Sequence, residues 1–374
     1  MNNTPKEARR LALAEFRKNS PHLFTAPDFW KSTLDAIEEA AQALKNGTTE
    51  VIGHSHGGRP ISAFFFGDFE PLHPTTTISS AMASDSSETF YNPSARTRQS
   101  LVIIGSIHGG ETEGIATCLD LIHILEHQRD LQGQTYPKLN DLLQKFRLTI
   151  IPCLNPDGRI AAGVQHLSGG KIEDIFWVQQ GVLKDGTLFR GRKVKEIQPI
   201  SEEMMLHRGG YYNDAGINLQ HDDFFGPEIA PENKAVQSVF RREIPDAFLT
   251  MHAHGGPAAI LTPDSYLTPG AQRKQIEAAG YMLANLAAEN IPFTPPDKIV
   301  TPPWSFYFQT WLYQMTGATP CLFEFSHGTD YFPQSHQQIL HTGKTLVSSW
   351  LDYIDRFGAR PNSPEMFGSI KAAP

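Results

Sequence analysis

A histidine and a glutamate, His108 and Glu111, stand three residues apart where an apolar run gives way to a helical pattern. Imidazole and carboxylate groups suit Zn²⁺, which in catalytic sites takes three protein ligands and leaves one position for water. Between them, Gly109 and Gly110 let the backbone approach such a site closely. A chain with 15 histidines contains such pairs by chance, so a surface histidine beside a helix start is the alternative. Glu113 is a rival ligand, although its charge also suits a helix start.

A third ligand and a general base are expected at the ends of two other apolar runs. The run 247–251 is followed by His252 and, two residues later, His254; we prefer His252 because it comes first past the run, and His254 stays open. Glu324 stands inside the apolar run 321–325, where a buried carboxylate is costly unless it has a task. In a cleft beside a metal-bound water it would serve as general base, and a buried ion pair with an arginine is the alternative.

The elements that position these residues alternate along the chain. Short apolar runs predict buried strands, and helical periodicities between them predict helices. This alternation predicts an α/β fold in which one mainly parallel sheet is covered by helices on both faces. Sites in such sheets lie beyond the carboxyl ends of the strands. The predicted strands are 59–66, 101–105, 147–152, 247–251 and 321–325, and the main helices are 112–127, 231–242, 269–289 and 337–355.

Three parts are predicted along the chain. Residues 1–50 form a helical segment packed on the catalytic domain, 51–358 form that domain, and 359–374 form a loose tail. Within the domain, residues 159–215 are long, glycine-rich and irregular. Loops of this length usually carry function.

Composition excludes several classes of partner. The net charge is −8 and no dense Lys/Arg block occurs, so neither nucleic acid nor an anionic membrane is expected to bind. The three cysteines, Cys118, Cys153 and Cys321, fit neither a disulfide framework nor a zinc knuckle and are predicted to be buried free thiols. The N-terminus has no apolar signal core and no run of 18 apolar residues occurs, which predicts a cytoplasmic protein. Oligomeric state is not predicted.

One motif points to a different chemistry. Gly53-His54-Ser55-His56-Gly57 satisfies the Gly-x-Ser-x-Gly pattern of serine hydrolases. A nucleophile elbow must be followed by a helix, whereas Gly58-Arg59-Pro60 and a strand-like run follow here. We therefore reject Ser55 as a nucleophile.

The order of motifs over residues 50–355 resembles the zinc carboxypeptidase family, whose fold is a twisted, mixed, eight-stranded sheet between helices. By this resemblance His108, Glu111 and His252 hold one Zn²⁺ and Glu324 is the catalytic glutamate. Further segments similar to family motifs are Gly57-Gly58-Arg59-Pro60-Ile61, Asn155-Pro156-Asp157-Gly158 and Pro231-Glu232-Asn233-x-Ala235-Val236.

The substrate-binding motif departs from the family. The usual Asp-Leu-Asn-Arg-Asn-Phe stands here as Asn218-Leu219-Gln220-His221-Asp222-Asp223-Phe224. The family's Asn-Arg pair grips a terminal carboxylate, and Gln220 and His221 occupy those positions. Histidine lacks the bidentate, permanently charged fork of arginine. Asn218 replaces an aspartate that orients the first zinc histidine, and its amide oxygen can still accept that hydrogen bond.

The resemblance also implies an oxyanion arginine before this motif. Phe189-Arg190-Gly191-Arg192-Lys193 is similar to the family's Trp-Arg-Lys-x-Arg run. We take Arg192 as the catalytic arginine and Arg190 and Arg208 as substrate-binding candidates, while a solvated basic loop is the alternative for each. No tyrosine stands near Pro302, where the family has a mobile one, although Trp304 and Tyr307 are close in sequence.

The function implied is zinc-dependent hydrolysis of an amide bond in a peptide or small amide substrate, with atypical recognition of the substrate end. One rival is a deacylase acting on a small N-acyl substrate through the same metal site. The other is a non-catalytic binding relative, which would be expected to have lost a ligand or the base.

Overall fold

Short apolar segments form the sheet that carries the predicted site. This computed structural model describes residues 5–84, 86–296 and 306–361. Seven strands form one sheet in the order β1-β2-β4-β3-β7-β9-β8, and β5 pairs with β6 separately. The strands are β1 Thr48–His54, β2 Pro60–Phe66, β3 Ser100–Gly105, β4 Arg147–Ile151, β5 Val182–Leu183, β6 Met205–His207, β7 Ala247–His254, β8 Ala259–Leu261 and β9 Thr319–Ser326.

Helices surround this sheet. They are α1 Pro5–Asn19, α2 Leu34–Ala43, α3 Ile78–Ala83, α4 Thr112–His127, α5 Pro137–Gln144, α6 Pro156–Ala162, α7 Ile172–Ile175, α8 Pro231–Glu243, α9 Pro269–Ala288, α10 Phe308–Thr316 and α11 His336–Phe357. In the described part of the chain, no helix is both long and apolar enough to cross a membrane.

The centre of the sheet is parallel. Strands β4, β3, β7 and β9 run in one direction, while β1, β2 and β8 pair antiparallel at the edges. The predicted α/β sheet with helices on both faces is confirmed. The expected strand number is wrong, because the described residues give seven strands and not eight. The two remaining strands, β5 and β6, pair with each other inside the long loop.

Both faces of the central strands are covered, as the continuous apolar runs predict. In β3, Leu101 and Ile103 pack in a core with α4, α9 and α11, whereas Val102 and Ile104 pack in a second core with α8 and α10. This division follows from the two-residue repeat of a strand, which sends successive side chains to opposite faces. Because β3, β7 and β9 are parallel neighbours, their carboxyl ends meet at one edge of the sheet.

The N-terminal segment packs on the long loop. Phe16 of α1 stacks on Trp177 with ring centroids 3.9 Å apart and planes 4° from parallel. A short 3-10 helix, Pro21–Phe24, separates α1 from α2, so the predicted helical segment is interrupted. Strand β1 starts at Thr48, before the expected boundary at residue 51. The division into segment, domain and tail stays a prediction.

The start of the expected tail is anchored. The Arg360 guanidinium is buried and bonds to Asp246 at 3.0 Å and to the carbonyl oxygen atoms of Thr316 and Pro245. A loose tail from residue 359 is therefore wrong for residues 359–361, and residues 362–374 lie outside the described residues. All three cysteines are buried and free, as predicted.

Asp264, in the loop between β8 and α9, predicts a pH-dependent stability. Its side chain is 1% exposed, and burial raises its pKa to about 7, although Gln275 donates a hydrogen bond to it. A carboxyl group whose pKa rises on folding stabilises the fold fully below its unfolded pKa, and that stability is lost as pH rises through the folded pKa.

We expect the wild-type free energy of unfolding to fall by roughly 4 kcal/mol more than that of Asp264→Asn between pH 4 and pH 8. Urea denaturation of both proteins across this range measures the difference. Equal pH dependence in the two proteins would show that burial does not raise the pKa of the Asp264 carboxyl group.

Candidate metal centre

The first two predicted ligands lie on the turn between β3 and α4. Glu111 is the N-cap residue of α4, and Gly109 and Gly110 directly precede it. A β-carbon on Gly109 would lie 1.9 Å from the backbone nitrogen of Arg159, and one on Gly110 would lie 2.5 Å from the Gln179 side chain. The turn thus packs closely against α6 and the 176–180 segment. Only glycine fits at position 109, where the neighbouring atoms are backbone, whereas a side chain at position 110 would have to displace the end of Gln179.

The structure brings His108, Glu111 and His252 together. One oxygen of Glu111 lies 2.8 Å from Nδ1 of His108, and its other oxygen lies 3.0 Å from Nδ1 of His252. All three residues are buried, and their ligand atoms lie within 4.8 Å of one another. Two imidazoles and one carboxylate form the donor set of a catalytic zinc site.

The hydrogen bonding of His108 fits a cation at this point. Asn218 places its amide oxygen 3.1 Å from Nε2 of His108 and also accepts the backbone N–H of Gln220, which fixes the orientation of the amide. Nε2 of His108 must therefore carry the hydrogen. In neutral imidazole, Nδ1 then points a lone pair at the Glu111 carboxylate, an arrangement that requires a bound cation or a second proton.

The charges of the three residues are strongly coupled. Burial alone would raise the pKa of Glu111, but the combined attraction of His108 and His252 lowers it to about 2. Burial would lower the pKa of His252, and Glu111 reverses this shift and raises it. A permanently ionised carboxylate between two imidazoles favours a positive ion.

His254 does not join this group. It lies on β7 two residues beyond His252, but its Nε2 is 2.7 Å from the carbonyl oxygen of Pro257. Glu113, the rival carboxylate, is also placed elsewhere: it bonds to Nδ1 of His327 at 2.9 Å, and both side chains are buried. The structure thus separates the two alternatives that the sequence left open.

Glu324 lies beside the candidate metal ligands on the neighbouring strand. It is paired directly with His252 in the register of β7 and β9. Burial raises its pKa to about 7, Glu111 adds to the rise, and His252 opposes it. A carboxyl group with this pKa can take up and release a proton near neutral pH.

These residues line a cavity of about 200 Å³. Asn218, Gln220 and His221 line it too, as do three residues that the motifs did not assign to the site: Lys195, Tyr211 and Tyr307. A larger cavity of about 530 Å³ lies between α2 and the β1–β2 hairpin and contains none of the predicted site residues. The chemistry is therefore assigned to the smaller cavity.

The altered substrate motif is held in place by neighbouring amides. The Gln220 amide donates to Gln309 at 2.8 Å, and Gln309 donates to the Thr250 hydroxyl at 2.6 Å. Burial lowers the pKa of His221 to about 3, with help from Lys195. His221 is consequently a neutral imidazole where the family has a cation.

Two of the three predicted arginines are not brought to the cavity. Arg208 is buried in an ion pair with Asp214, and Arg190 is exposed with its guanidinium 5.6 Å from the Phe176 ring. Contrary to the sequence prediction, neither of them lines the cavity, because each is held by a local partner. Arg192 lies in the short 3-10 helix Gly191–Lys195, but its side chain, like residue Trp304, lies outside the described part of the structure.

Two aromatic residues complete the cavity wall. The ring of Tyr211 stacks on His108 with centroids 4.0 Å apart, and Tyr307 is the N-cap residue of α10. The Gly209-Gly210 pair before Tyr211 was the available signal, because glycine pairs often mark close backbone approach. For Lys195, the only sequence signal of a place in the site was its position just after the Phe189-Arg190-Gly191-Arg192-Lys193 run.

Ser55 has a structural role. Its hydroxyl donates to the buried Asp157 carboxylate at 2.5 Å, and this carboxylate also accepts from the backbone of Gly57 and from the Arg59 guanidinium. A turn and β2 follow Ser55, so no nucleophile elbow forms. These hydrogen bonds connect the Gly58-Arg59-Pro60 segment to the Asn155-Pro156-Asp157-Gly158 turn.

Comparison with protein families finds a match over part of the chain. Residues 33–181, which include His108, Glu111 and the Asn155–Gly158 turn, match the family model of zinc carboxypeptidases. Over this segment the chain is similar to zinc carboxypeptidases. No curated protein matches the sequence. The matched segment ends before His252 and Glu324, so for these residues the geometry above is the support.

Solved structures show the zinc carboxypeptidase fold over most of the chain. A metallo-carboxypeptidase from Burkholderia cenocepacia is 17% identical with a TM-score of 0.53, over 86% of this chain and 68% of that one. Bovine thrombin-activatable fibrinolysis inhibitor, in complex with tick carboxypeptidase inhibitor, is 16% identical with a TM-score of 0.54, over 88% and 99%. Carboxypeptidase A from Helicoverpa armigera is 14% identical with a TM-score of 0.52, over 94% and 81%. At such identities the likeness concerns the fold.

Proposed function

We propose that this protein is a zinc-dependent hydrolase that cleaves amide bonds by attack of an activated water. One Zn²⁺ is held by His108, Glu111 and His252, and Asn218 orients His108. The observation that carries the proposal is the Glu111 carboxylate, which faces Nδ1 of both histidines beside Glu324. When bound, zinc would polarise the scissile carbonyl and lower the pKa of a coordinated water.

The chain's own residues supply the proton transfers. Glu324 accepts a proton from the attacking water and delivers it to the leaving nitrogen, so that an acid and an amine are released. Its raised pKa suits both steps, because the group is neither too acidic to accept a proton nor too basic to release it. Tyr211 and Tyr307 form part of the cavity wall beside these groups.

The altered motif favours a substrate end unlike that of ordinary carboxypeptidase substrates. Neutral His221 and the tied Gln220 amide cannot form a bidentate grip on a carboxylate. A deacylase acting on small N-acyl substrates is therefore the second candidate, because the cavity lined by the described residues has a volume of about 200 Å³. Both candidates use the same metal and base.

A substrate panel tests the proposal and separates the two candidates. Zinc-loaded enzyme is assayed with free-carboxylate dipeptide reporters, the same peptides with an amidated C-terminus, and N-acyl amino acids. We expect hydrolysis of small N-acyl substrates or peptides, with poor action on simple dipeptide reporters. Strong activity on those reporters would contradict the proposed atypical recognition of the substrate end. Bound zinc without activity on any amide would favour a non-catalytic binding relative.

A further inference from the structure

The cavity is lined by a basic side chain, Lys195, that no sequence motif identified. Lys195 lines it, and among the described residues no acidic group lies within ion-pair distance of its ammonium. Desolvation lowers the pKa of Lys195, and Glu324, as a more distant negative charge, opposes this shift. The ammonium is therefore available to a ligand.

Among the described residues, the other anion-binding candidates that the sequence predicted have partners or no charge. Arg208 pairs with Asp214, and Arg190 lies over the Phe176 ring. His221 is uncharged, and the amide nitrogen of Gln220 is used by Gln309. Among the described residues that line the cavity, Lys195 is the only lysine or arginine.

The backbone around Lys195 is held while its side chain stays open to solvent. Val194, the preceding residue, is 2% exposed, and its carbonyl accepts a hydrogen bond of 3.1 Å from the Tyr212 hydroxyl. Tyr212 is fully buried, and its neighbour Tyr211 forms the cavity wall against His108. The lysine thus follows a residue of the same packed cluster that contains Tyr211, and its exposed side chain lines the cavity.

We propose that Lys195 binds a single anionic group of the substrate and thereby replaces the paired Asn-Arg grip by one point charge. This inference rests on the proposed hydrolase function and names its substrate class: small amides that carry one negative charge on a group other than the α-carboxylate of a peptide. An ammonium has rotatable donors and no planar fork, so it selects charge without selecting the shape of a carboxylate. The site will therefore accept a tetrahedral sulfonate as well as a planar carboxylate.

Binding of three matched probes tests this inference without requiring turnover. N-acetyl-β-alanine, its carboxamide and N-acetyltaurine have the same backbone and end in a carboxylate, a neutral amide and a sulfonate. Calorimetry is performed with zinc-loaded Glu324→Gln protein, alone and combined with Lys195→Met, Lys195→Arg or the control Lys193→Met, which removes an exposed lysine two residues away.

We expect Lys195→Met to weaken binding of both anionic probes by about ten- to a hundredfold and to leave the carboxamide unchanged. Lys195→Arg should retain most of the affinity, and Lys193→Met should retain all of it. Equal weakening of charged and neutral probes would overturn the inference, as would a parent protein that does not prefer N-acetyl-β-alanine to its carboxamide. Zinc content and melting temperature of each variant identify misfolded protein.

Steady-state kinetics separate this role from stabilisation of the oxyanion. With Glu324 intact, loss of a substrate anchor raises KM for anionic amides and leaves kcat little changed. A lower kcat for charged and neutral substrates alike would instead assign Lys195 to the transition state and contradict the anchor. If the enzyme cleaves no amide but the three-probe preference holds, the proposed hydrolase function fails while the anion site stands.

Discussion

Replacement of Glu324 by glutamine will lower turnover by at least about a hundredfold while zinc stays bound. Glutamine keeps the size of the side chain and the β7–β9 pairing beside His252. It cannot accept the proton of the attacking water, so only the polarising effect of the metal remains. The measurement is kcat on the best substrate of the panel, with metal content determined on the same preparation.

A matched control separates this effect from a general loss of negative charge. Glu173 is an exposed glutamate on α7, and Glu173→Gln should retain wild-type turnover. Near-normal kcat in Glu324→Gln would remove Glu324 from the reaction and favour its alternative role as a buried structural carboxylate. Loss of zinc in this variant would instead make it part of the metal site.

Replacement of His252 by alanine will abolish activity and release the metal, whereas His254→Ala will keep its zinc. The two histidines lie two residues apart on β7, but only His252 reaches the Glu111 carboxylate, at 3.0 Å. A site reduced to one imidazole and one carboxylate loses a third of its protein ligands, and affinity falls accordingly. Zinc retention after dialysis and residual activity are compared in the two variants.

The His254 variant also tests how the strand end is stabilised. Its imidazole bonds to the Pro257 carbonyl and thus supports the turn between β7 and β8. We therefore expect a modest loss of stability without loss of metal. Zinc loss in His254→Ala with retention in His252→Ala would exchange the two assignments.

The sequence predicts the metal site well because its ligands follow buried strands. Apolar runs such as 101–105 and 247–251 are covered on both faces, so their pattern is unambiguous and the residues after them lie at one sheet edge. Strand β7 extends further than its apolar run, because its pairing with β9 continues through His252 and His254. Both histidines consequently lie inside the strand and not beyond it.

Other features depend on contacts that sequence patterns do not encode. Strand β1 is exposed at most positions and carries no apolar alternation, so only its pairing with β2 identifies it. The arginines of the long loop were predicted from order in the chain, but Asp214 and the Phe176 ring hold two of them away from the cavity. Lys195 is brought there by packing of Val194 against Tyr212, a contact between distant parts of the loop.

The zinc-to-protein ratio of purified wild type and of His108→Ala, prepared side by side and dialysed against metal-free buffer, tests the central claim most directly. We predict one zinc ion per chain in the wild type and less than about a tenth of an ion in the variant, because His108 is one of three protein ligands and is held in place by Asn218. Full zinc occupancy in His108→Ala would contradict the metal centre described above.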